Sequence, residues 1–358
     1  MMLNYVDMNA LRPKVADKIN KYHALSPYNQ LTIGFCKKGK CYVFGSGEEN
    51  RLVYDLGSVT KTMTAHLILK LQGEQLLDIH KTVDCYLPLK KGHYPTIYQL
   101  LTHTAGYGHI TPAEITVPSL LRHGYARKNP YEACTGETVI RCLERRRFRK
   151  PRPRYGYSDF APAILAAVAE AVTKTPFSTL FEDFVHKDLG LSQTHIILPT
   201  QHREPPAAEG KRLLPFWVWN RDNPYIAAGG MVSNIGDVLN YLSLQLQSDA
   251  PYIRDAHTLC ECSKIRNDNH MMCIGWHTYQ RSNQLWHVGG VGTFRTSVIF
   301  NKRSGIAVAV LGNAKGTASA NAHYIAKMLY SELKNNRIRL DAKGAAHELH
   351  HPSDRTKG

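Results

Sequence analysis

The segment Gly57-Ser58-Val59-Thr60-Lys61 sets a hydroxyl and an amine three residues apart. At the start of a helix, that spacing puts both on one face. A serine hydroxyl is a poor nucleophile at neutral pH, and a neighbouring amine can take its proton if burial keeps that amine neutral. The helix N-terminus also offers unpaired N–H groups to a developing oxyanion. Taken alone the pattern is weak, because a motif this short recurs by chance. Ser331-Glu332-Leu333-Lys334 repeats it near the end of a C-terminal helix, where surface sequence without chemistry is the expectation. Ser58 differs in the company it keeps. Downstream come Thr102-His103-Thr104-Ala105-Gly106-Tyr107, then Tyr155-Gly156-Tyr157-Ser158-Asp159, then Ala228-Gly229-Gly230, then Trp286-His287-Val288-Gly289-Gly290-Val291-Gly292.

Several of these residues admit two readings. Tyr157 stands just before an apolar helix, as a packed core tyrosine or a catalytic phenol. Asp159 is either an ionised site residue that disfavours carboxylate substrates or the N-cap of that helix, with Pro162 in its first turn; the cap is the simpler account. Gly289 and Gly290 mark a strand bulge or a close approach of backbone to substrate. Arg295 could hold a substrate carboxylate bidentately, or stand exposed on its strand. Trp217 and Trp219, in Pro215–Asn220, could floor an acyl pocket or pin a loop down. Tyr107 is a further candidate for contact with substrate.

These residues need elements to hold them. Alternating Leu31, Ile33 and Phe35, a Lys-Gly turn and Cys41–Phe44 predict a hairpin. Val59, Met63 and Leu67 at spacing four, with Gly73 beyond, predict a helix over 58–72. Another helix is expected over 9–22, and a buried one at 163–172, AILAAVAEAV. Residues 80–200 read mostly as helices and loops. Residues 271–312 switch to strand patterns, and a helix over 317–334 follows. Strands at both ends with helices between them predict one sheet built from both termini. The expected organisation is a discontinuous α/β sheet domain, 1–79 and 201–338, a helical insertion domain, 80–200, and a mobile tail, 339–358. Clefts between domains are a usual place for a site.

The order and spacing of the motifs resemble the serine β-lactamase-like superfamily: class C β-lactamases, D,D-peptidases, family VIII-type esterases and related acyltransferases. The resemblance spans about residues 8–335. It implies an α/β fold, a sheet flanked by N- and C-terminal helices with an inserted all-helical domain. Ser58 matches the acylated nucleophile and Lys61 its partner. Tyr157 matches the tyrosine of the Tyr-x-Asn motif, and His287-Val288-Gly289 the strand triad written Lys-Thr-Gly or His-x-Gly. By position, the N–H groups of Ser58 and Gly290 would form the oxyanion hole. His103 matches a position that orders the loop beside the site. Two departures stand out: Asp159 where the family often has Asn, and His287 where many lactamases have a lysine. The second weakens recognition of a ring carboxylate and favours ester or peptide chemistry. The implied activity is a serine hydrolase passing through an acyl-serine, on an ester or small peptide or amide. An acyltransferase, a β-lactamase or D,D-peptidase using the same site, and a silent ligand-binding relative are the alternatives. A small acyl substrate is the expected partner, and no cofactor or metal is required.

The chain has 358 residues with a formal net charge of +16. Hydrophobic residues at 43% and charged ones at 21% exclude a mainly disordered chain, a coiled coil and a collagen-like repeat. No apolar stretch reaches membrane-spanning length. The basic run at 141–154, RCLERRRFRKPRPR, reads as a solvated helix end and loop, with steering of an anionic substrate the sharper possibility; no nucleic-acid-binding signature accompanies it. The N-terminus lacks the apolar core of a secretory signal, so a cytoplasmic location is expected. Eight Cys without a CxxC pair fit reduced thiols in that compartment. Cys36 and Cys41 could face each other across the hairpin, but a functional disulfide there is not the expectation. His347-Glu348-Leu349-His350-His351 matches a zinc-hydrolase pattern literally, yet such a site needs a stable helix and a third ligand, and here Pro352 follows at once with only seven residues after His351, so zinc catalysis is not expected.

Overall fold

The computed structural model describes residues 2–24, 30–109, 129–146, 155–201, 216–257, 270–279, 283–313 and 321–338, with residues 112, 113, 115, 117, 121 and 340. Most of the basic run, the tail with its His-Glu-x-x-His sequence, Cys260, Cys262 and residues 317–320 lie outside the described residues.

The strands are β1 (Leu3–Val6), β2 (Gln30–Lys37), β3 (Lys40–Phe44), β4 (Tyr54–Asp55), β5 (His195–Ile196), β6 (Met231–Ser233), β7 (His270–Met272), β8 (His277–Tyr279), β9 (Leu285–Val291), β10 (Phe294–Asn301) and β11 (Ile306–Asn313). The helices are α1 (Pro13–Ala24), α2 (Thr60–Gly73), α3 (Ile97–Leu101), α4 (Gly136–Arg145), α5 (Phe160–Thr173), α6 (Phe177–Asp183), α7 (Ile226–Gly229), α8 (Ile235–Gln247), α9 (Pro251–Ala256) and α10 (Asn321–Lys334).

Eight strands form one sheet in the order β1-β3-β2-β11-β10-β9-β8-β7. The two ends of the chain meet at its centre, where β2 pairs antiparallel with β11, Gly34 opposite Ala309. Period-two alternation sorts the faces. Val308 and Val310 pack with α1 and α10 on one side, while Ala307, Ala309 and Leu311 join the larger core with α8 and the helices of the middle segment on the other. The sheet with flanking terminal helices is therefore as expected. Two features were missed. The short segment at 3–6 adds β1, parallel to β3, and β4, β6 and β5 make a small second sheet. Strands of two to four residues leave too little periodicity to read.

The β2–β3 hairpin turns through Lys38 (φ 52°) and Gly39 (φ 74°), both left-handed as a two-residue hairpin loop requires. That turn sets Cys36 opposite Cys41, and the two are joined by a disulfide. The expectation of reduced thiols is corrected for this pair: the tight register brings the sulfurs together, and the compartment argument built on free thiols loses its support. Cys85 is an exposed thiol, and Cys134, Cys142 and Cys273 are buried ones. Among the described residues, no helix is long and apolar enough to cross a membrane.

Candidate active site

Ser58 lies in a short 3-10 turn, Gly57–Val59, that runs into α2. Gly57 has φ 51°, and a Cβ there would come within 2.6 Å of the Gly290 amide nitrogen. A side chain on Gly289 would collide with the Leu56 carbonyl. Both glycines are thus needed to seat β9 against the Ser58 turn. The backbones of Gly57–Ser58 and Gly289–Gly290 are in contact, as an oxyanion hole between the Ser58 and Gly290 N–H groups requires.

Lys61, one turn into α2 and 3% exposed, spends its Nζ on three acceptors. It donates to Ser58 Oγ at 2.9 Å, to Asp159 Oδ1 at 2.7 Å and to the Ala228 carbonyl at 2.7 Å. Three donated bonds are the full complement of an ammonium. α7 supplies the carbonyl, which explains why the Ala228-Gly229-Gly230 motif belongs to the constellation.

Asp159 corrects the capping expectation. It makes no cap hydrogen bond to α5. Ser158 caps instead, its Oγ accepting from the amides of Phe160 and Ala161. The Asp159 carboxylate turns to Lys61 on one oxygen and accepts from the Tyr131 hydroxyl at 3.0 Å on the other. His109 Nδ1 stands 3.8 Å from it. Burial would raise the carboxyl, but Lys61, His109 and the two hydrogen bonds outweigh burial and hold it below its ordinary value.

Tyr157 lies between these groups and three further histidines. Its ring sits 4.7 Å from that of His103, 6.0 Å from that of His277 and 6.3 Å from that of His287. Burial first, then the Asp159 charge, push the phenol well above its usual value, against a smaller downward pull from the neighbouring Ser58 hydroxyl. His103 holds the Tyr157 loop from behind. Its carbonyl accepts from Gly156 N and its Nδ1 from Ser158 N. It is pushed down to about 3, chiefly by burial.

His287 is fully buried, with Nδ1 2.8 Å from the Val288 carbonyl. Burial, then the Lys61 charge, push it down to about 3, so it stands neutral. It contacts the site from behind Tyr157 rather than lining the hollow. Tyr107 does not line it either: its ring packs edge-on against Phe160 in the core. Arg295 does line it, half-buried, with Nη1 donating to the carbonyls of Gly292 and Phe294.

Among the described residues, Ser58 borders two hollows. A cavity of about 570 Å³ runs past Tyr157, His109, Trp286, Arg295 and His323. A niche of about 20 Å³ on another side is walled by Tyr131, Trp217, Trp219, Ala228 and Gly229. Ser58, Asp159 and Gly290 border both. Tyr131, His109 and His323 were not anticipated. Nothing in the spacing around Asn129-Pro130-Tyr131 marks a site residue, since its partner is remote in sequence.

Comparison with known proteins places this geometry. A protein described as "Beta-lactamase" from Providencia stuartii is 28% identical over 211 residues, 56% of this chain and 48% of that one. "Protein flp" from Staphylococcus aureus is 23% identical over 295 residues, 77% of this chain and 54% of that one. The chain thus spans about half the length of these curated relatives. The octameric penicillin-binding protein homologue of Pyrococcus abyssi superposes with a TM-score of 0.72 at 22% identity, covering 90% of this chain and 77% of that one. The family model described as Beta-lactamase matches residues 32–331, and the chain belongs to that family.

Proposed function

We propose that this protein is a serine hydrolase acting through an acyl-Ser58 intermediate on an ester or a small amide. The observation that carries this reading is the single cluster at Ser58 Oγ: Lys61 Nζ at 2.9 Å, Tyr157 lining the same cavity with its ring centroid 5.2 Å from Lys61 Nζ, and the Gly289–Gly290 backbone against the Ser58 turn. Lys61 at rest donates three bonds, so the Lys61–Tyr157 pair must first shed a proton; Ser58 then attacks the acyl carbon while its own proton passes into that pair. The N–H groups of Ser58 and Gly290 receive the developing oxyanion. Tyr157, at the cavity edge, returns the proton to the leaving atom. Water then hydrolyses the acyl-serine and restores Ser58.

Ester over β-lactam preference follows from charge. The Asp159 carboxylate balances Lys61, His287 stands neutral where many lactamases carry a lysine, and Arg295, which lines the cavity, turns its Nη1 to the Gly292 and Phe294 carbonyls, so a substrate carboxylate gains little beside the nucleophile. The decisive experiment is intact-mass detection of an adduct after incubation with a fluorophosphonate and a panel of esters, D-Ala-D-Ala peptides and β-lactams. A stoichiometric adduct that Ser58→Ala abolishes is expected. The same adduct persisting in that variant refutes the nucleophile. For preference, kcat/KM for p-nitrophenyl acetate should exceed that for nitrocefin on one preparation; the reverse order restores β-lactam hydrolysis as the activity.

A further inference from the structure

We propose that the acyl group handled by Ser58 is no larger than acetyl or propionyl, whereas the leaving group is large. This rests on the acyl-serine reading above. Tyr157 lines the 570 Å³ cavity and not the niche. A leaving atom must take its proton from that side, so the leaving group lies in the large cavity. The acyl substituent, across the attacked carbon, then points into the niche behind Ser58. About 20 Å³ there accepts little more than one water-sized body.

The walls of the niche are stiff. Trp217 is 4% exposed and Trp219 1%. Tyr131 stacks on Tyr225 with ring centroids 4.1 Å apart and meets Trp217 edge-on. Its hydroxyl is tied to Asp159. On the fourth side, Ala228 is fixed by the carbonyl it gives to Lys61. Enlarging the niche would disturb the groups that hold the lysine. The limit on acyl size is therefore coupled to the catalytic array.

The step balances without a further reactant. The Ser58 Oγ–acyl bond forms and the bond from the acyl carbon to the leaving oxygen or nitrogen breaks. The serine proton ends on that leaving atom. Water later adds across the acyl-serine ester to release a short carboxylic acid.

The test is a ladder of p-nitrophenyl esters from acetyl to octanoyl, read both as kcat/KM and as intact mass of Ser58. Beyond propionyl, each added methylene should lower kcat/KM by about tenfold or more until turnover is lost. With acetyl fixed, exchanging p-nitrophenol for the bulkier 4-methylumbelliferone should change kcat/KM by no more than about threefold, since the two leaving groups are of similar acidity and the cavity admits both. Trp217→Ala should move the optimum to longer chains, and Trp217→Leu provides the same comparison with an apolar filling if the alanine variant does not fold. A flat ladder with Ser58 labelled throughout overturns the size limit alone and leaves the acyl-serine reading standing. No label on Ser58 at any chain length overturns the acyl-serine reading, and the size limit with it.

Discussion

Replacing Asp159 by Asn should make the nucleophile easier to activate. In the native site Lys61 gives all three donors away, so it holds no lone pair for the Ser58 proton. A unit charge pair 2.7 Å apart attracts by about 6 kcal/mol at an effective dielectric of about 20. Asn leaves an acceptor oxygen in place, retaining about 1 kcal/mol of hydrogen bond. If even about 2 kcal/mol of the difference reaches the proton transfer, acylation at pH 7 quickens by about thirtyfold. Tyr157 moves the same way, since the Asp159 charge is one of the two causes that raise its phenol. Asp159→Asn should therefore increase the p-nitrophenol burst rate by at least about tenfold and shift its rising pH limb toward acid. The variant should also melt lower, because breaking a buried pair costs about 3–5 kcal/mol when one charge is left behind. A burst slowed by about a hundredfold in a folded variant would refute the argument. Asp159 would then be the terminal proton acceptor rather than a restraint on the lysine.

Three further outcomes follow from the same geometry. Lys61→Ala and Tyr157→Phe should each slow acylation by about a hundredfold or more, with the double variant less than multiplicative because both serve one proton path; stopped-flow burst rates decide, and fully multiplicative losses would mean independent roles. Tyr131→Phe removes the hydroxyl that bonds Asp159 but keeps the ring on Tyr225, and should lower stability by about 1.5–3 kcal/mol in urea unfolding; an unchanged midpoint would show that the bond adds nothing. His66, His103 and His287 are buried and pushed down to about 3, so the unfolded chain binds more protons between that pH and about 6.5 and stability is lost as pH falls through this window, by about 2 kcal/mol per histidine from pH 7 to pH 5. Thermal melts should drop steeply over that range, and a flat melting temperature would contradict the burial of these rings in their neutral form.

The fold was legible where hydrophobic period and turn chemistry agreed. The Lys-Gly turn between two alternating runs predicted the β2–β3 hairpin, and the spacing of Val59, Met63 and Leu67 predicted α2. α5 announced itself as AILAAVAEAV, whose small apolar residues suit a helix buried on nearly every side. β1 was not legible, because Leu3–Val6 alternates too briefly and gains its place only by pairing with β3. The disulfide was legible in register but not in redox state. A cross-strand pair of cysteines can be drawn from the turn, whereas the bond between them is a chemical event that spacing does not specify.

The site divides along the same line. Ser58, Lys61, Tyr157 and the Gly289–Gly290 pair are set by local turns and helix starts, so motif order is enough to single out the groups that the fold brings together. Asp159 had two local solutions of similar merit, and the choice was made elsewhere. Ser158, one residue earlier, satisfies the amides of Phe160 and Ala161. That frees the carboxylate, and a buried lysine 98 positions away in sequence gives it a partner. A buried ammonium costs several kcal/mol unless paired, more than the roughly 1 kcal/mol of a cap, so the ion pair takes the carboxylate and the serine takes the cap. Tyr131 completes the arrangement from a third segment. Tyr107 failed as a candidate for the opposite reason: nothing in its motif said which way the ring turned, and Phe160 offered it apolar surface. Local sequence thus names the groups gathered around Ser58. The charge around them is set by which distant polar groups must be satisfied together, and at this site that requirement places a carboxylate beside the nucleophile's lysine.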